Sequence, residues 1–271
     1  MIFPYKNAET LYHMKTRKTL LLAIFSLCAL LTGGCSNKMK SEIASKAIGD
    51  TFSFGQYNNK PIEWEVLDKN ENSMLLISKY VLDYLPLFDT SSEITTENYQ
   101  NACWEESTIR QWLNENFYNN AFNEQEQEIL MISNNANENG FWTEYSETSV
   151  KHILQTTIDN GGVIDFEETE DKVFLLSLEE IENYYGIDET ENKFSFSSPN
   201  AVAKDLSGED SPWWLRSVRC TITKLQDSSI YQVSASPCMI GSEGQVNTSF
   251  GTDNWSYELG VRPAIRIDIG K

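Results

Sequence analysis

Beyond residue 50 the chain alternates apolar and polar positions with period two. Ile62, Trp64 and Val66 are interleaved with Glu63 and Glu65, and Met74 to Ser78 is an apolar run between polar turns. Together with Thr51 to Tyr57 these segments predict an antiparallel meander. Near Ser107 the period changes to 3.6. Ile109, Trp112, Leu113 and Phe117 then fall on one helical face, which predicts a helix capped by Ser107 and places all four in the core. Asn123 and Glu126 stand at capping-box spacing and predict a second short helix from Glu124 to Met131. Ser177 and Glu180 repeat that spacing before a helix that Gly186 can end. Further strands are predicted over Lys172 to Leu176, Trp213 to Val218 and Val261 to Ile269, with short strands and glycine turns over Ser229 to Gly251. Strands open the chain, helices sit inside and strands close it, so the pattern predicts an α+β fold of mostly antiparallel sheet with a few short helices. No Pro- or Gly-rich linker interrupts Asp50 to Lys271, which reads as a single domain with a polar insertion around 134–162.

The first residues follow a different pattern. Lys15, Arg17 and Lys18 precede an uncharged apolar run from Leu20 to Leu31, and Leu31-Thr-Gly-Gly-Cys35 closes it. This is the layout of a secretion signal, and the run is shorter than the roughly 20 apolar residues a membrane-spanning helix needs. Small residues before a cysteine resemble a bacterial lipobox, which implies a signal peptide over 1–34, translation from Met14, and a lipid on Cys35. Ser36 to Gly49 is polar and reads as a tether between lipid and domain.

Lys and Arg number 21 against 40 Asp and Glu, a formal charge of −19. Loss of the signal removes Lys6, Lys15, Arg17, Lys18 and Glu9, leaving −22 on the mature chain. Such a surface repels nucleic-acid phosphates, so nucleic acid is not an expected partner. Apolar residues make up 40% of the chain, enough to build a core despite the acidity. Cleavage also leaves His152 as the only histidine, with Cys103, Cys220 and Cys238 beyond the anchor. A nucleophile–imidazole relay or a zinc site needs more than this, so no catalytic triad, metal or cofactor is expected. Cys220 and Cys238 are spaced for neighbouring strands and form the candidate disulfide. Carboxylates are too numerous for any pair to stand out as a hydrolase site.

Five ordered stretches resemble the bacterial family called domain of unknown function 6273. They are Gly49-Asp-Thr-Phe-Ser-Phe-Gly-Gln-Tyr57 with Pro61-Ile-Glu-Trp-Glu-Val-Leu67, Ser107-Thr-Ile-Arg-Gln-Trp-Leu-Asn114, Asp171-Lys-Val-Phe-Leu-Leu-Ser177, Trp213-Trp-Leu-Arg-Ser217 and Gly260-Val-Arg-Pro-Ala-Ile265. The chain departs from that family where Asn200-Ala201 replaces a common Tyr-Ala. The resemblance implies an extracytoplasmic bacterial module without a settled activity. Trp213 to Ser217 followed by the Val-Arg-Pro-Ala strand is also similar, more distantly, to the C-type-lectin and formylglycine-generating-enzyme fold group.

The expected function is that of a lipid-anchored, non-catalytic cell-envelope module binding a glycan, a peptide or an envelope protein. The alternative is an extracytoplasmic enzyme, either a carboxylate-based hydrolase or a degenerate relative of formylglycine-generating enzymes. Adjacent tryptophans on a strand point to opposite faces. Alternation groups Trp213 with Leu215 as core and Trp214 with Arg216 as an exposed stacking platform. Arg216 and Arg262 can equally form ion pairs with carboxylates such as Glu63 or Glu65. Asp253 and Asn254, in a glycine-bounded loop before the last strand, complete the candidate ligand-binding set.

Overall fold

A computed structural model describes residues 38–89, 103–136, 168–186, 188–189, 196–224, 231–247 and 257–270. Its first sheet begins with the predicted meander, Thr51–Tyr57 (β1), Lys60–Lys69 (β2) and Ser73–Ser78 (β3). The C-terminal strand Ala264–Asp268 lies beside β3 and in turn pairs with Leu130–Met131 and Val173–Phe174, every contact antiparallel. In β2 the alternation holds: Ile62, Trp64 and Val66 are buried while Glu63 and Glu65 reach the surface. All six residues of β3 are buried, because both of its faces are covered and no polar side is required.

A second sheet runs in the order Asp188–Glu189, Phe196–Ser197, Gln245–Asn247, Tyr231–Ile240, Trp213–Lys224, Glu258–Val261 and Asp83–Pro86. It is antiparallel except where Trp213 pairs in parallel with Gly260. The α+β reading therefore stands, with antiparallel sheet dominating. The stretch expected as one closing strand is split between the two sheets at Arg262 and Pro263, where proline lacks the N–H a continuous ladder needs. Arg262 is buried at this joint. Its Nε donates to the Ser78 carbonyl at 2.8 Å, its guanidinium lies 5.0 Å from the Trp213 ring centre, and Glu65 is 3.7 Å away.

Three caps predicted from spacing are formed. Ser107 Oγ accepts from the Arg110 amide, and Asn123 with Glu126 and Ser177 with Glu180 make complete capping boxes. The second helix is shorter than expected, Glu124–Gln127, because the chain turns there and enters the first sheet as Leu130–Met131.

The polar segment expected to be a tether is folded from residue 38 onward. Residues 38–44 are helical, Ile43 is 5% exposed within the main core, and Met39 and Ala44 pack against it. Lys69 Nζ donates to the Ala44 and Lys46 carbonyls, both at 2.7 Å, satisfying the helix end that local chemistry leaves open. Lys40 Nζ lies 2.6 Å from Asp268 Oδ2, and that hydrogen bond holds the Asp268 carboxyl below its ordinary value of 3.8. A carboxyl lowered on folding contributes stability above its ordinary value and loses it as the pH falls through the depressed one. Acid titration should therefore release the Met39 methyl NMR signal toward its random-coil position below about pH 4, before the Ile265 methyl moves. Simultaneous movement of both would show that the helix is not separately tied.

Candidate functional site

One helix organises the clefts of this protein. Thr108–Trp112 is α-helical, Leu113–Phe117 is a π-helical turn in which the Tyr118 N–H reaches the Leu113 carbonyl, and Tyr118–Ala121 resumes the α-helix. A π turn inserts one extra residue and re-aims the side chains that follow, and such turns gather at functional sites. Ile109, Leu113, Phe117 and Ala121 point into the core. Asn114 is turned toward the neighbouring chain, donating to the Val173 carbonyl at 2.9 Å while its Oδ1 accepts from the Lys172 amide at 2.8 Å. Trp112, Asn116 and Asn120 form a stripe at i, i+4 and i+8. Trp112, expected in the core, is partly exposed and lies over the core's edge.

Facing this stripe is the β1–β2 hairpin. Its two-residue turn, Asn58 and Asn59, has φ of 50° and 60°, a left-handed pair that suits the twist of a hairpin and that asparagine tolerates better than most residues. Tyr57, just before the turn, meets Trp112 edge-on at 6.1 Å and Phe117 at 5.3 Å. Its hydroxyl donates to Asp83. Burial, reinforced by that carboxylate, pushes the phenol well above its ordinary range, so it stays neutral and keeps its ring fixed. Gly55 sets the approach of hairpin to helix. It sits where the β1–β2 register slips, has φ of +68°, and a Cβ there would lie 2.7 Å from the Phe122 ring. Its amide donates to Glu126 Oε1 at 3.1 Å, joining the hairpin to the capping box of the next helix.

Hairpin and helix enclose a groove of two adjoining hollows. The first, about 470 Å³, is lined by Tyr57, Trp112 and Phe117 with the amides of Gln56, Asn58, Asn59, Asn116 and Asn120. Among the described residues no ionised side chain lines it. The second, about 430 Å³, continues past Gln56 and Asn120 to Pro61, Phe122 and Asn123. The one carboxylate among its described lining residues, Glu126, accepts from the Gly55 and Asn123 backbone amides. Aromatic edges beside a row of uncharged donors and acceptors can hold a neutral, hydroxyl-rich ligand.

A larger cleft, about 630 Å³, lies on the other side of the helix and is rimmed by Glu105, Glu106, Glu115 and Glu170. At its base Asp171 is fully buried. Its carboxylate accepts from Arg110 Nε at 2.6 Å, Thr169 Oγ1 at 2.8 Å, Asn135 Nδ2 at 2.9 Å, Trp104 Nε1 at 3.0 Å and, more weakly, Asn114 Nδ2 at 3.4 Å. Lone pairs so occupied cannot take a substrate proton without breaking the joint they form, so this carboxylate is a clamp.

The residues singled out from the sequence are scattered. Trp214 is fully buried, like Trp213, and its indole N–H donates to the Leu85 carbonyl at 2.9 Å. It is therefore not an exposed platform. The strand carrying it is internal to the second sheet and is covered on both faces over 213–218, and alternation separates inside from outside only when one face is bare. Arg216 is buried too. It donates to the Leu175 carbonyl at 2.8 Å and to Glu180, the residue that closes the Ser177 capping box, so it supports a helix end and is removed from the ligand site. Cys220 and Cys238 stand on neighbouring strands, but Cys220 is registered with Ala235. Cys238 lies three residues further on, roughly 10 Å away at the usual strand rise. That exceeds the reach of a disulfide between these positions without a shift of register. Asp253, Asn254, His152 and Cys35 lie outside the described residues, as does the expected insertion beyond residue 136.

The groove residues Tyr57, Trp112, Asn116 and Asn120 carried a signal that periodicity hides. Asparagine is a poor helix former, yet Asn114, Asn116, Asn119 and Asn120 crowd one short helix. Such crowding costs helix stability and marks positions held for their amides.

A family model described as Domain of unknown function (DUF6273) matches residues 71–269. No curated protein and no solved structure matches the chain.

Proposed function

The chain belongs to the domain of unknown function 6273 family, whose description assigns no activity, and we propose that it is a non-catalytic, lipid-anchored module of the bacterial cell envelope that binds a neutral glycan in the groove between hairpin and helix. The observation that carries this reading is the lining of that groove, where, among the described residues, three aromatic rings adjoin five side-chain amides and no ionised group. Sugar rings present C–H faces that pack on aromatic surfaces and hydroxyls that pair with amides. The two hollows together match an elongated ligand of several sugar units. A formal charge of −19 disfavours an anionic polymer, and the described groove residues offer no carboxylate to pair with a cationic one, which favours a neutral ligand. The anchor is supported by the basic, apolar and small-residue succession that ends at Cys35. Among the described residues, the cleft that offers carboxylates to the hydrolase alternative is the acid-rimmed one, whose buried Asp171 is already committed to five donors.

The test is a glycan array followed by calorimetry on Trp112→Ala and Asn116→Ala. Loss of the tryptophan should weaken binding at least tenfold, about 1.4 kcal/mol or more. Asn116→Ala should weaken it less, and its melting temperature should stay within a few degrees of wild type because the residue is at the surface. Retention of full affinity by both variants would remove the groove from consideration. Metabolic labelling with an alkyne fatty acid addresses the anchor, since label on the wild type and its absence from Cys35→Ser is the expected pattern.

A further inference from the structure

The segment expected to be a slack tether is instead fastened to one end of the first sheet, and this determines how an anchored domain would stand. Both ends of the helix at 38–44 are tied there, Lys40 to Asp268 and the final carbonyls to Lys69. The chain then pairs with β2, the Gly49 amide donating to the Val66 carbonyl at 2.9 Å and the Val66 amide to the Asp50 carbonyl at 3.0 Å. Asp268 pairs with Ser73 and Lys69 with Met74, so all these ties gather at the β2–β3 turn. The groove lies at the opposite end of β2, beside the Asn58–Asn59 turn. A ten-residue strand separates the two by roughly 30 Å at the usual rise per residue.

Resting on the lipid-anchored reading, we propose that residues 38–50 are an orienting clamp that stands the domain on the membrane surface by the β2–β3 end and holds the groove outward, away from the bilayer. Three residues from Cys35 to Lys38 span at most about 11 Å when fully extended, too little for the domain to tumble freely. Residues 38–49 contain Lys38, Lys40 and Lys46 against Glu42, while Asp50, Asp68, Glu71 and Asp268 lie at the same end, so the short link to the lipid, and not charge, sets the pose. Ile48, 63% exposed, lies on the same segment. The glycan recognised would then lie beyond the membrane surface, in the wall or outside it, and a lipid head group would not reach the groove.

The experiment uses the lipidated full-length protein on phosphatidylglycerol–phosphatidylcholine vesicles carrying head-group nitroxide lipids. A clickable dye is encoded at Ile48 or at Lys60, which is exposed at the hairpin tip. Quenching should be several-fold stronger at Ile48 than at Lys60, and a long Gly-Ser spacer inserted between Asn37 and Lys38 should erase the difference. Equal quenching at both positions in vesicle-bound wild type would overturn the clamp while leaving the anchor intact. A wild type that floats with vesicles no better than Cys35→Ser would overturn the anchor itself, and the orientation with it.

Discussion

Replacement of Asp171 by alanine should cost about 3–5 kcal/mol, the usual penalty for removing one member of a buried, hydrogen-bonded charge pair. Its carboxylate is the shared acceptor of Trp104 and Arg110 at the start of the long helix, of Asn135 on the neighbouring strand, and of Thr169 on its own strand. Deleting the acceptor leaves the buried Trp104 and Asn135 donors without their partner, and each buried donor left unpaired adds to the loss. The joint also ties the long helix to the Thr169–Asp171 strand, so the groove on the far side of that helix should loosen as well. Asp171→Asn is the sharper variant. It keeps the volume but turns an N–H₂ toward groups that are themselves donors, and should recover only a fraction of the stability. Urea denaturation followed by tryptophan fluorescence measures both. A midpoint for Asp171→Ala within error of wild type would mean that the five contacts do not act as one structural unit.

Trp214→Ala and Trp213→Ala should destabilise the domain alike, each by about 3–5 kcal/mol, the cost of emptying a fully buried aromatic site. Each indole fills the core and also satisfies a backbone carbonyl, Ala201 for Trp213 at 3.1 Å and Leu85 for Trp214 at 2.9 Å. Truncation therefore leaves a cavity and an unpaired acceptor together. Phenylalanine separates the two contributions, since it restores much of the volume without the N–H. Trp214→Phe should fall between wild type and alanine. Thermal or chemical melts of the pair decide the matter. A Trp214→Ala protein that melts like wild type would restore that indole to the surface and to the list of binding residues.

Groove and core thus make opposite demands on tryptophan. Trp112 should affect ligand more than fold, because one of its faces is open, whereas Trp213 and Trp214 should affect fold alone. A helical wheel assigns Trp112 to the core and strand alternation assigns Trp214 to the surface; the structure half-buries the first at the core's edge and reverses the second. The helical wheel places Trp112 at the margin of the core face, next to the Asn116 and Asn120 stripe, and alternation separates Trp214 from Trp213 on the strand. Periodicity carries no information about what covers either side. The turn of Asn58 and Asn59 fits the same description: its left-handed residues follow from the hairpin's twist, but its place opposite Asn116 and Asn120 follows from how the hairpin lies on the helix.

By itself the sequence determined the features whose chemistry is complete within a few residues. The caps at Ser107, Asn123 and Ser177 each join groups two or three positions apart, and the alternation of β2 is a property of one strand. These suffice for the α+β class, for most element positions and for the ordered stretches that place the chain in its family. Only the tertiary structure decided which faces are covered. The helix at 38–44 is docked because Lys69 and Asp268, far along the chain, supply its partners. Arg216 is structural because Glu180 meets it from another element, and the groove exists because residues 57–59 and 112–120 converge. Burial and satisfied hydrogen bonds depend on neighbours brought in by packing, and no local pattern of residues encodes which neighbours those will be.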